Sequence, residues 1–115
     1  MAVIKYETFL RDNALVEFLR GHRGEGSCAS SKQIVEFMRS KGYSITQNAV
    51  HNIIMRIKYS RNLPICSRNA KGYYWAVTQK DIRNSIADLE GRVIEILNHI
   101  TYLKQFLITG DEEVT

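Results

Sequence analysis

Gln47, Asn48, His51 and Asn52 repeat at the spacing that places polar side chains together on one side of a helix. Glutamine and asparagine amides carry a donor and an acceptor side by side, the pattern that pairs two-pronged with the edge of an adenine. Such a row on a wet helix face is suited to reading base edges in a groove. Arg56, Lys58 and Arg61 follow in the same stretch, and Ser31 and Lys32 open the stretch before it. Cations and free helix-start amides are the groups that meet phosphate oxygens. Arg68, Asn69 and Lys71 lie in a turn between two β-prone runs, placed to reach an adjacent groove or its backbone. Amides near a helix start also cap it, and surface bases also merely solvate it, so residue type alone leaves both roles open.

The charge distribution favours the first role. Residues 32–71 hold eight basic residues against the single acid Glu36, whereas residues 78–115 hold four against seven acids. A positive middle and a negative end imply that the middle meets a polyanion and the end does other work.

The elements that must position these groups follow from periodicity. A first helix is predicted over about Tyr6 to Arg20, with Phe9, Leu10, Ala14, Val16, Phe18 and Leu19 at roughly helical intervals and a break or restart at Asp12-Asn13. Gly21, Gly24 and Gly26 end it. Ser30 or Ser31 caps a second helix of Lys32 to Lys41, closed by Gly42. After the turn Tyr43-Ser44-Ile45, Thr46 caps a third helix over Gln47 to Ser60, whose buried stripe is Val50, Ile53, Ile54 and Ile57. Two helices joined by a short turn, the second wet on one face, form a helix-turn-helix pattern. Leu63 to Ser67 and Tyr73 to Val77 flank the turn of a β-hairpin, a wing tipped by Arg68 and Lys71, with Pro64 at a strand start. Tyr74 faces opposite to Tyr73 and Trp75, and these aromatics pack under the wing.

The last helix starts at Thr78, with Asp81 as a capping-box partner. Ile82, Ile86, Leu89, Val93, Ile96, Ile100, Leu103 and Leu107 alternate steps of four and three, a heptad seam without a polar member. Ile94, Leu97 and Phe106 widen the stripe. A partner chain is the expected cover for this seam, making a homodimer, with packing back on the first helix as the alternative. Gly91 is expected to mark a bend or a close crossing. The expected organisation is a winged helix-turn-helix domain over residues 1–77, a dimerisation helix over 78–109 and a flexible acidic tail over 110–115. The fold class is thus mainly α with a small β-hairpin.

Several classes are not expected. No apolar run approaches the ~20 residues that span a bilayer, and the start shows no leader pattern, so a cytoplasmic protein without membrane contact is expected. Cys28 and Cys66 read as ordinary small core residues, and His22, His51 and His99 offer no metal-ligand spacing with them. The chain has no glycine-rich phosphate loop, carboxylate pair on one face or nucleophile grouping. Neither enzymatic activity nor a cofactor is expected.

His22-Arg23-Gly24, Ser31-Lys32-Gln33-Ile34, Pro64-Ile65-Cys66-Ser67, Gly72-Tyr73-Tyr74-Trp75-Ala76 and Thr78-Gln79 together resemble the pattern of a family of small phage and prophage winged-helix proteins. The resemblance covers roughly residues 18–107, and the Pro-Ile-Cys-Ser to Gly-Tyr-Tyr spacing is its most specific part. It implies a DNA-binding fold working in a bacterial host cell, not a particular job. The chain departs from the pattern at Gly26-Ser27-Cys28-Ala29, where relatives tend to have Asn-Ala-Ile. It departs again after the third helix, where Asn62 replaces a glycine and can take the same left-handed turn. The expected partner is double-stranded DNA, read by a dimer that serves transcription, replication or recombination. The alternative is a protein-interaction module that inhibits or redirects a host protein with the same scaffold.

Overall fold

The computed structural model describes residues 2–107 and residue 113. Its elements run α1 (Ala2–Arg20), a 3-10 turn (Glu25–Ser27), α2 (Ser31–Ser40), α3 (Gln47–Arg61), β1 (Ile65–Arg68), β2 (Gly72–Trp75) and α4 (Gln79–Lys104). The protein is mainly helical, with one two-stranded antiparallel sheet and a long C-terminal helix.

The apolar stripes meet in one core. Leu15 and Leu19 of α1, Ile34 and Met38 of α2, and Ile54 and Ile57 of α3 are all essentially inaccessible to solvent. The caps behave as short polar side chains at helix starts should. Ser30, not Ser31, caps α2 in a reciprocal box with Gln33, and Thr46 accepts from the Ala49 amide at the start of α3. Asn62 ends α3 in the left-handed conformation (φ 55°, ψ 55°), the role a glycine would otherwise fill.

The expected break at Asp12-Asn13 does not occur, and α1 also begins four residues earlier than Tyr6. Both side chains are engaged by α3 and so do not compete for the α1 backbone. Buried Asp12 accepts from Arg56, and Asn13 accepts from Arg61.

The hairpin pairs Ile65 with Trp75, Cys66 with Tyr74, Ser67 with Tyr73 and Arg68 with Gly72. Alternation splits its faces. Ile65, Tyr73 and Trp75 pack on the helical core, while the Tyr74 hydroxyl on the other face donates to the Asp81 carbonyl of α4. The outer edge of β2 is closed by the loop after α1. Gly24 N donates to Trp75 O, Trp75 N to His22 O, and Ala29 and Tyr73 exchange two bonds at 2.7 and 2.9 Å. An edge covered in this way offers no template for foreign strands. Gly72 is required there: its φ is +125°, and a Cβ would lie 2.1 Å from the Ala29 carbonyl oxygen.

Thr78 caps α4, and Asp81 completes the box. The Asp81 carboxylate also accepts from the Val77 amide at 2.9 Å and reaches the Glu25 amide at 3.4 Å. Asn84 adds a 2.7 Å bond to the Glu25 carboxylate. Past Ser85 every residue through Leu107 is exposed, so α4 leaves the core as a free arm. The radius of gyration, 18.6 Å, exceeds the ~13 Å of a compact chain this size. The arm does not pack back on α1. Gly91 neither breaks it nor meets a close neighbour, contrary to expectation. Residues 108 and 109 of the expected helix, and the expected tail over 110–115 apart from Glu113, lie outside the described residues.

The amides of Val77 and Thr78 hold the Asp81 carboxyl below its ordinary range. Its stabilising contribution is therefore complete above the unfolded value near 3.8 and is lost as pH falls through the lower folded value. An Asp81→Asn variant should melt below the parent at pH 7 by circular dichroism, with the gap closing on acidification below pH 4. A gap independent of pH would contradict this role.

Candidate nucleic-acid interface

The Thr46 cap sets where α3 begins, and its buried stripe of Val50, Ile54 and Ile57 sets which side faces out. Gln47, Asn48, His51 and Asn52 are all exposed. The structure thus brings the four together on the outer side of α3. His51 Nδ1 lies 3.1 Å from the Tyr73 hydroxyl, which links this face to β2. Burial raises the Tyr73 phenol above its ordinary range, with Arg92 opposing that shift. Tyr73 therefore stays protonated and can donate.

Beside this face opens a cleft of about 610 Å³. The outer side of α3, the hairpin, the start of α2 and the early turns of α4 form its walls. Four cations line it, Lys58, Arg68, Lys71 and Arg92, and no Asp or Glu does. Lys58 Nζ donates to the Ile65 carbonyl at 2.8 Å, which leaves two ammonium donors free for another acceptor. Arg68 lies 3.5 Å from the Glu25 carboxylate. Lys71 and Arg92 have no side-chain partner among the described residues. Ser31 lines the cleft, Lys32 stands exposed next to it, and Asn69 lies at the hairpin tip with Ala70, whose φ is 61°.

Arg56 and Arg61 differ from the other cations of α3. Arg56 holds Asp12 with both guanidinium nitrogens, at 3.0 and 3.1 Å. Arg61 donates to Asn13 at 2.8 Å and lies over the Phe9 ring. Both are engaged with α1, so their first role is to hold two helices together rather than to await a ligand.

Of the seam residues, Ile82 is half-buried at the base of α4, where the helix meets the hairpin. Ile86, Leu89, Val93, Ile96, Ile100, Leu103 and Leu107 all lie on the open arm. Leu89 belongs both to the seam and to the cleft.

Sequence reasoning missed Arg92 as a site residue by counting it only within the acidic C-terminal part. Ser85, Leu89 and Arg92 do share the helical spacing of one face, which was the available signal. No group of three or more His, Cys, Asp or Glu residues able to hold a metal comes together among the described residues. None of their helices is long and apolar enough to cross a membrane.

The two kinds of arginine separate in stability measurements. The Asp12 side chain is only 6% exposed while that of Arg56 is 49% exposed, so their pair belongs at the low end for partly buried ion pairs. Arg56→Gln is expected to lose on the order of 1 kcal/mol in urea unfolding, and Arg92→Gln nothing measurable. Equal losses would show that Arg56 is not a structural partner. No family model, curated protein or solved structure matches this chain.

Proposed function

We propose that this chain is a sequence-specific, double-stranded DNA-binding protein of the winged helix-turn-helix type, acting as a homodimer through α4. The observation that carries this is the exposed face of Gln47, Asn48, His51 and Asn52 beside an acid-free cleft lined by four cations. In this reading α3 enters the major groove with its N-terminal residues against base edges. The hairpin is the wing, and Arg68, Asn69 and Lys71 follow the neighbouring backbone or minor groove. Lys58, with Ser31 and Lys32 at the start of α2, meets phosphates. The resemblance to small phage winged-helix proteins supports the DNA-binding reading, and in that reading the protein serves transcription, replication or recombination in the cytoplasm of a bacterial host.

The dimer rests on the open arm. Eleven large apolar residues from Ile86 to Leu107 are exposed on it. Burying one such side chain is worth about 1.5–3 kcal/mol, and a lone helix of this length is marginal in water. A heptad seam is covered most directly by a second copy of itself. A two-fold axis through paired arms would present two α3 helices to two half-sites, so a palindromic target is expected.

Titration of labelled duplex across salt tests the DNA reading. A protomer placing four cations on phosphates should lose roughly a hundredfold in affinity between 50 and 200 mM salt. Gln47→Ala and Asn48→Ala should each remove about 1–3 kcal/mol of discrimination between specific and random duplex, leaving non-specific binding intact. Affinity indifferent to salt would sink the reading.

Sedimentation tests the second copy. The wild type should run as a dimer at micromolar concentration, and an Ile96→Asp, Ile100→Asp double variant as a monomer. A monomeric wild type would overturn the dimer and turn attention to a host protein as the cover for α4.

A further inference from the structure

We infer that the cleft between α3, the hairpin and α4 is a phosphate-binding site, and that Arg92 of α4 is one of its ligand-holding groups. Its DNA arm rests on the function proposed above. There the phosphate belongs to a backbone strand running between the hairpin and the C-terminal helix. The nucleic-acid surface then extends past the wing onto an element otherwise assigned only to dimerisation.

Composition is the first ground. Four cations converge from three elements, Lys58 from α3, Arg68 and Lys71 from the hairpin, and Arg92 from α4. Such convergence is repulsive when the cleft is empty and is relieved by an anion. Arg68 has Glu25 as a counter-ion, but Lys71 and Arg92 have none among the described residues. Of the four basic and four acidic residues that α4 carries, Arg92 alone lines the cleft.

Hydrogen-bonding capacity is the second ground. Tyr73 stays protonated, and its hydroxyl sits with His51 on the cleft wall. Ser30 and Ser31 place the start of α2 on the same wall. Arginine, lysine and hydroxyl donors facing one space match the tetrahedral oxygens of a phosphate ester. Position is the third ground. The Asp81 and Asn84 bonds to Glu25 anchor the first two turns of α4, so Arg92 is carried to the cleft by a helix rooted at its base rather than by a loop.

Two ligand sources share this chemistry, a nucleic-acid backbone and a free phosphorylated molecule. Two arms separate them. In the first, duplex binding by wild type and Arg92→Gln is titrated across salt. The variant should bind about fivefold or more weakly at 0.1 M salt and lose about one unit of salt slope. Arg83→Gln, on the same helix but outside the cleft, should match wild type. In the second, melting is followed with pyrophosphate against chloride at equal ionic strength. Pyrophosphate should raise the wild-type Tm and have little effect on that of Arg92→Gln. Circular dichroism and sedimentation confirm that the variant keeps its helix content and oligomeric state.

If wild type binds duplex with the expected salt slope but Arg92→Gln is unchanged in both arms, the inference is overturned and the DNA reading stands. If wild type ignores duplex while pyrophosphate stabilises it only with Arg92 present, the DNA reading fails. The cleft is then the site of a free phosphorylated ligand. No response of either protein in either arm overturns both.

Discussion

The carboxylate of Asp81 governs the relation of the long helix to everything else. Its two oxygens accept from the amides of Val77, Thr78 and Glu25, while its own amide is capped by Thr78. These groups come from the strand exit, the helix start and the 3-10 turn. An ionised carboxylate accepting several backbone amides is a short-range, directional constraint, and stronger than its neutral counterpart would be. Tyr74 and Asn84 add bonds to the same junction. Together they set the angle at which α4 leaves the hairpin. That angle decides that Ser85, Leu89 and Arg92 face the cleft.

A second constraint protects the cleft from the other side. The loop after α1 hydrogen-bonds along β2 and presses the Ala29 carbonyl against Gly72. Only a residue without a Cβ allows this approach, and the same loop delivers Glu25 to Asp81. A side chain at position 72 would therefore disturb the hairpin edge, the loop and the anchor of α4 together. Several weak contacts made mutually dependent give a more sharply placed site than the same contacts made separately.

Much of this organisation could be read from residue order, for local reasons. Caps, glycine stops and 3.6-residue stripes act within a few residues of themselves. Thr46, Gly42 and the stripe of Val50, Ile54 and Ile57 accordingly mark α3 to within a residue of its observed end. Alternation in the hairpin separates Tyr74 from Tyr73 and Trp75 in the same way. What was not legible depends on partners distant in sequence. Arg56 and Arg61 look like free cations on a wet helix until Asp12 and Asn13 arrive from α1 more than forty residues away. The same two acceptors look like a helix break until those arginines occupy them. Arg92 looks like part of an acidic C-terminal region until the turn at Val77 and Thr78 aims its face back over the hairpin. The exposed polar row of α3 needed no distant partner to be recognised, but the wall facing it did.

Leu89 couples the two proposed jobs of α4. It lines the cleft and also occupies the heptad seam, one helical turn before Val93 and less than one turn before Arg92. A second helix laid along the seam must therefore come to rest at the edge of the cleft. A phosphate held by Arg92 neutralises a cation beside that same seam. Desolvating the seam next to an unbalanced charge is more costly than next to a balanced one. Phosphate binding and helix pairing then favour each other, and by linkage each raises the affinity of the other by the same factor. Occupation of the cleft would then tighten a dimer whose arms are already paired.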